Sequence, residues 1–280
     1  MTSAPALAEK KSNFFLGFLL LPKPKREALS AVYAYCRLID DIVDTPEIPK
    51  DEARRQLDFW REEVERLYQG SPTHAVSRAL LKPVADYKIP KEPFLEMIRG
   101  CAMDLDGKRY ETIEDLESYM RGVASSVGIM CVHIFGWTYT PKERVYEFAT
   151  TFGYAFQLTN IIRDVGADLE IGRVYLPLAE IRDAGYSVDR LVLRDHGPAF
   201  DRLMLGQYKR AKAYYARARN MVDFRDRLNL LPAEVMAHVY EGLLDEIKDQ
   251  EFRVLFQKTS LPGYRKLALG FKAWLYCHGI

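Results

Sequence analysis

Long hydrophobic runs are missing from this 280-residue chain: no stretch of 18 or more apolar residues occurs, so no membrane-spanning helix is expected. The short run from Phe14 to Leu21 follows Lys10-Lys11, but no small-x-small cleavage site comes after it, so it does not read as a cleaved signal. A charge excess is also absent. Forty basic residues stand against 39 acidic ones, which excludes the basic footprint of a nucleic-acid binder. The four cysteines (Cys36, Cys101, Cys131, Cys277) have neither CxxC spacing nor a histidine at zinc-site intervals. Scattered thiols of this kind suit a reducing cytosol better than a disulfide framework. The five histidines have no ExxH partner, which argues against a di-iron bundle. Strand-type alternation is sustained nowhere, and there is no internal repeat or low-complexity linker.

What is present is helical periodicity almost throughout. Residues 1–10 read as a loose tail, and residues 11–280 as a single all-α domain. Pro24 can occupy the first turn of a helix running to about Asp44. Asp51 to Tyr68 alternates charge with Leu57, Trp60, Val64 and Leu67, the pattern of an amphipathic surface helix. Further helices fit about 73–87, 91–105 and 112–136, the last opening on Thr112 with Asp115 three positions on. Thr140-Pro141-Lys142-Glu143 carries an N-cap, a first-turn proline and a capping-box glutamate, and so predicts a helix start. Residues 172–177 form a loop, and helices fit 198–224, 232–257 and 260–276.

Two acidic pairs differ from the rest. Asp40/Asp44 and Asp164/Asp168 are spaced by four and are flanked by Ile, Val and Leu, whereas pairs such as Asp58/Glu62 sit among other charges. Like charges at this spacing share one helix face and cost a few tenths of a kcal/mol when solvated, more when partly buried. Each pair extends backwards into a polar stripe: Tyr33, Arg37, Asp40, Asp44 on one helix and Gln157, Asn160, Asp164, Asp168 on the other. Two such stripes facing one cavity would suit Mg²⁺, which takes one or two carboxylates and completes its shell with phosphate oxygens and water. Gly166, inside the second stripe, costs about 1 kcal/mol in a helix interior and predicts a kink or a close ligand approach there, or else a plain helix end.

The segments Tyr33–Asp44 and Gln157–Asp168 resemble the two signature motifs of the squalene/phytoene synthase family. Leu21-Pro22, Met103-Asp104-Leu105, Arg109–Thr112, Val123–Gly128 and Gly172–Pro177 add to the resemblance, which covers about residues 12 to 270. Within the family the details look most like the bacterial presqualene diphosphate synthases of the hopanoid pathway, with phytoene synthases next. The resemblance implies an isoprenoid synthase fold, a helical bundle around a central cavity, and head-to-head joining of two prenyl diphosphates. The substrate it implies is farnesyl diphosphate, or geranylgeranyl diphosphate for the phytoene alternative. A non-catalytic scaffold relative would be expected to lose motif aspartates, and all four are present.

Carried over residue by residue, the resemblance makes Asp40, Asp44, Asp164 and Asp168, with Asn160, the holders of two or three Mg²⁺ ions through the diphosphate. Arg37 and Arg163 match motif arginines that could bind phosphate oxygens. Tyr33, Gln157, Arg173 and Tyr175 match positions lining the diphosphate end. Tyr240 and the pair Arg265-Lys266 match more loosely as residues that could close that end. Many relatives carry Tyr-Cys and then Tyr or His before Val-Ala, but here the segment reads Tyr119-Met120-Arg121-Gly122-Val123-Ala124. The aromatic associated with proton handling is therefore missing unless Tyr119 or Tyr33 substitutes, and the released diphosphate could serve instead. Continuing to squalene would need NADPH. No glycine fingerprint for a dinucleotide occurs, nor is one required for such binding. The implied location is cytoplasmic, with room for peripheral contact at the inner face of the membrane.

Overall fold

In this computed structural model, residues 21–280 are described. The expected tail over residues 1–10 and the run 14–20 lie outside the described residues. Among the described residues twelve α-helices follow in order: α1 Lys23–Asp44, α2 Lys50–Tyr68, α3 Ala75–Tyr87, α4 Glu92–Leu105, α5 Ile113–Met120, α6 Ser126–Phe135, α7 Lys142–Glu170, α8 Leu178–Asp183, α9 Val188–Val192, α10 Pro198–Arg219, α11 Leu231–Asp249 and α12 Gly263–His278. No strand occurs among the described residues. The all-α expectation holds, with the helices packed around a cavity that α1 and α7 help to line.

α7 is the central element. It buries Phe148, Ala149, Phe152, Gly153, Ala155, Leu158, Ile161, Ile162 and Val165, which fall on nearly every side of the helix, as expected for one walled in by neighbours. α10, α6, α11 and the segment joining α5 to α6 all pack against it. α2, by contrast, buries Ala53, Leu57, Trp60, Val64 and Leu67 along one stripe and leaves its charged side to solvent.

Three local outcomes refine the sequence reading. The single helix expected over 112–136 is interrupted by a π-helical turn at Arg121–Ser125, a departure that often marks functional sites. Its start is as expected: Thr112 and Asp115 form a reciprocal capping box. Thr140, expected to cap α7, makes no side-chain cap. Its hydroxyl donates instead to the buried carboxylate of Asp226 at 2.7 Å and accepts from the backbone N–H of Asp223 at 2.9 Å. Asp226 also accepts the backbone N–H groups of Thr138, Tyr139 and Thr140, so one carboxylate ties the α6–α7 loop to the turn before α11. Glu63 plays the same part between α2 and α3, accepting from the backbone of Thr73 and His74 and from the Ser77 hydroxyl, each at 2.6 Å.

Gly166 resolves the open question in its neighbourhood. The helix neither ends nor gives way to a loop there, and continues to Glu170. A Cβ at this position would meet the carbonyl oxygens of Val254 and Leu255 at 2.6 and 2.7 Å. The missing side chain therefore lets the chain's own 253–255 turn cross over α7. Arg194 fastens the crossing by donating to the Leu255 carbonyl at 2.8 Å and to Glu170 at 2.8 Å.

Candidate active site

Helical spacing alone brings each acidic stripe to one face. Packing then decides that the two faces meet. α1 and α7 both place their C-terminal halves around a polar basin of about 230 Å³, lined among the described residues by Asp40, Asp44, Asp104, Tyr119, Gln157, Asn160, Arg163, Asp164, Asp168, Arg173 and Tyr175. Beneath it lies a second, apolar cavity of about 320 Å³, a size typical of small-molecule sites. Tyr33, Val32 and Leu29 of α1, Val127, Cys131 and Phe135 of α6, Phe148, Phe152 and Phe156 of α7, and Ala233 and Met236 of α11 line it. The two spaces share Asp40, Tyr119, Gln157 and Asn160, which form the neck between them.

The basin's charges are paired but not neutral in character. Arg173 donates to Asp44 at 2.6 Å and to the carbonyl of Val43 at 3.0 Å, placing a cation at the C-terminus of α1, where the helix dipole favours it. Arg163 grips its neighbour Asp164 with two donors, one at 2.8 Å, and Lys258 reaches the same carboxylate at 2.9 Å. Burial pushes the Asp164 carboxyl up, but these two cations outweigh it and its pKa is lowered. Arg37, on the outer side, pairs with Asp41 at 2.7 Å and more loosely with Asp40 at 3.5 Å.

Asp40 and Asp168 behave differently. Burial, reinforced by Asp44 in one case and Asp164 in the other, pushes both up to about 7. Sites like these gain from an added positive charge. Asn160 has its Oδ1 buried with no hydrogen-bond partner among the described residues, so an acceptor is held ready at the neck. Its Nδ2 is 3.4 Å from Gln157 Oε1.

Asp104 carries a separate cluster at the neck. The hydroxyls of Tyr175 and Tyr119 donate to its two oxygens at 2.8 and 3.0 Å, and the two hydroxyls lie 3.3 Å apart. The rings stack at 5.0 Å. Burial pushes all three groups up, so the carboxylate is costly to keep charged and the hydroxyls hold their protons.

Of the residues expected from sequence, Asp40, Asp44, Asp164, Asp168, Gln157, Asn160, Arg163, Arg173 and Tyr175 come together in the basin, and Tyr33 lies on the apolar side beside Arg37. Tyr240 lines neither space; it lies near Arg163, with its ring 5.2 Å from that of Phe156. Arg265 lines neither space: it pairs with Glu246 on α11. Three members had no role assigned from sequence. Asp104 is a lone acid in the apolar run Cys101–Leu105, a signal that burial would be costly without partners. Tyr119, considered there only as a substitute aromatic, reaches the neck. Lys258 lies in irregular chain, where periodicity offers no guidance.

The donor set is suited to a hard divalent cation, since every candidate ligand is an oxygen and the pKa values of two carboxylates are raised by burial and then by their neighbours. No three His, Cys, Asp or Glu side chains among the described residues are grouped closely enough to hold a metal ion by themselves. A cation here would have to take part of its shell from a ligand or from water.

Comparison with known proteins gives a consistent picture. A family model described as squalene/phytoene synthase matches residues 7–265. The chain is 35% identical over 272 residues to a 15-cis-phytoene synthase of Synechococcus elongatus, covering 93% of this chain and 87% of that one. It is also 35% identical over 270 residues to a presqualene diphosphate synthase of Zymomonas mobilis, covering 96% and 90%. Among solved structures it is similar to a ligand complex of a dehydrosqualene synthase, with a TM-score of 0.86, 30% identity and coverage of 99% and 95%.

Proposed function

The chain belongs to the squalene/phytoene synthase family, whose named relatives are prenyltransferases, and on that premise we propose that it condenses two farnesyl diphosphates head to head into presqualene diphosphate. The observation that carries this reading is the continuity of a polar, carboxylate- and guanidinium-lined basin with an apolar cavity through one neck. That arrangement fits an amphiphile with an anionic head and a long hydrocarbon tail.

Asp40, Asp44, Asp164, Asp168 and the Oδ1 of Asn160 would hold Mg²⁺ jointly with diphosphate oxygens. When bound, the metal supplies positive charge that stabilises the departing diphosphate. Arg37, Arg163, Arg173 and Lys258 are already in the basin or at its rim on carboxylate partners, and can turn to phosphate oxygens when a diphosphate enters. Once one diphosphate has left, the 2,3-double bond of the second farnesyl group attacks the allylic cation, a proton is lost and the cyclopropane closes. The phenylalanines of α6 and α7 keep water from that cation and align the two tails. The Asp104–Tyr119–Tyr175 cluster is the protein group at the neck best placed to take part in the proton transfer, beside the released diphosphate itself.

The run of α7 that lines the apolar cavity matches the length of the shorter substrate. Below Gln157 the wall of α7 runs nine residues to Phe148, about 14 Å at the helical rise. The twelve-carbon main chain of a farnesyl group extends on the order of 14 Å at ordinary bond lengths, and the sixteen-carbon chain of geranylgeranyl exceeds that by about 5 Å. The similarity to phytoene synthases favours the second reading, condensation of two geranylgeranyl diphosphates. Incubation of the purified protein with each diphosphate and Mg²⁺, followed by lipid extraction and mass analysis, separates them. A thirty-carbon product from farnesyl diphosphate is expected, and turnover of geranylgeranyl diphosphate alone would replace this reading with the second.

A further inference from the structure

The last helix, α12, has an apolar side for which the described residues supply no cover. Its inner face is committed: Ala273 and Cys277 are buried, and Leu269 closes on Gly242 of α11. On the outer face Tyr264, Leu267, Phe271 and Trp274 follow at steps of three, four and three, which is one stripe of a helix. They are 74%, 64%, 61% and 38% exposed, and the Phe271 and Trp274 rings stack at 5.9 Å. Scattered exposed apolar residues are ordinary, but four large ones in line mark an interaction surface.

Charge indicates what covers it. Residues 252–280 contain Arg253, Lys258, Arg265, Lys266 and Lys272 and no aspartate or glutamate. Arg265 and Lys258 are paired with Glu246 and Asp164, whereas Lys266 and Lys272 form no ion pair among the described residues. Aromatic and leucine side chains flanked by lysine, without acids, suit a helix lying in the interface of an anionic bilayer. A second copy of the chain would bring this cationic segment against itself with no acidic complement.

The position of α12 is consistent with such a surface. α11, which it covers, contributes Ala233 and Met236 to the wall of the apolar cavity. The segment leading into α12 carries Lys258, at the edge of the basin. We infer that the outer face of α12 docks the protein on an anionic lipid membrane. Tyr264, Leu267, Phe271 and Trp274 enter the boundary between headgroups and acyl chains, and Lys266 and Lys272 meet lipid phosphates.

The test uses the whole chain and phosphatidylcholine vesicles with or without phosphatidylglycerol, read by co-sedimentation and by tryptophan emission. The wild type should bind the phosphatidylglycerol vesicles, less so as salt is raised, with a blue shift from Trp274. The Leu267→Glu/Phe271→Glu variant should lose at least about tenfold in vesicle affinity. Its thermal melt and its turnover of detergent-dispersed substrate should be unchanged. Leu267→Asn/Phe271→Asn serves if the charged variant does not fold, and Lys266→Gln/Lys272→Gln should weaken binding to the anionic vesicles only. Equal vesicle binding by wild type and ridge variant, or none by either, would overturn the inference. So would a ridge variant that converts a dimer to a monomer, which would assign the face to a second copy. None of the binding readouts depends on which prenyl diphosphate is turned over.

Discussion

Asp40 and Asp168 are the residues on which the proposed chemistry places the greatest demand. Each sits beside a second carboxylate in a half-buried basin, and each is pushed up to about 7 by burial first and its neighbour second. Replacing either Asp40 or Asp164 by alanine should lower turnover at least about a hundredfold, the scale of losing one preorganised electrostatic contact in a transition state. The far-ultraviolet circular dichroism should stay unchanged, because neither side chain supports a helix; turnover near the wild-type level would remove the metal role. The tyrosine cluster makes a graded prediction. Tyr119→Phe and Tyr175→Phe each delete one donor to Asp104 and leave the other, so the double variant should fall well below either single one in kcat, with KM much less affected. Steady-state kinetics on the three variants checks this, and an unchanged kcat in the double variant would restrict the cluster to packing.

At the scale of elements, two junctions depend on single residues. Gly166→Ala would place a Cβ against the Val254 and Leu255 carbonyls, and backbone cannot yield as a flexible side chain can. Overpacking of this kind costs about 1–3 kcal/mol, so the variant should melt several degrees lower. Because the 253–255 turn leads directly to Lys258, its diphosphate affinity should fall as well. The α2–α3 junction is pH-dependent through Glu63. Burial works to raise its pKa, but donors from His74, Ser77, Arg66 and Thr73 outweigh that effect and hold it at about 2, below the ordinary value of 4.5. A lowered folded-state pKa means that the stabilisation is fully present above about 4.5 and is lost as pH falls towards 2. Glu63→Gln should therefore be less stable than wild type at neutral pH, with the difference shrinking through that acid window. Chemical denaturation at several pH values measures it, and a constant difference would contradict the assignment.

For the molecule as a whole, the question is how far the cavity extends and what surrounds it. Leu29, Phe135 and Phe148 are the lining residues that lie farthest along α1, α6 and α7 from the neck. Phe148→Ala should lengthen the space by roughly one side chain and shift the ratio of geranylgeranyl to farnesyl turnover upward, measured by competition between the two diphosphates. An unchanged ratio would place the floor elsewhere. No helix among the described residues is long and apolar enough to cross a membrane. If α12 docks on a bilayer, a prenyl diphosphate substrate and a product that keeps one diphosphate, both amphiphilic, remain close to the membrane surface.

Much of this was legible in the chain itself, and the limits have physical causes. Helix periodicity, capping pairs such as Thr112/Asp115 and the apolar surroundings of two aspartate pairs are local properties, so a helical protein with two carboxylate stripes could be read from sequence. Thr140 was misread because its strongest partner, Asp226, is 86 residues away, and a buried carboxylate is a better acceptor for its hydroxyl than capping is a use for it. The π turn at Arg121–Ser125, the crossing at Gly166, the arrival of Asp104 and Tyr119 in the basin and that of Lys258 at its edge likewise depend on which helices touch. The sequence by itself determined the main helices and the two acidic faces, because each is set by spacing along one helix. Only the tertiary structure decided that those faces share a basin, that an apolar cavity lies beneath it and that one side of α12 is left bare, because burial and contact are properties of several elements together.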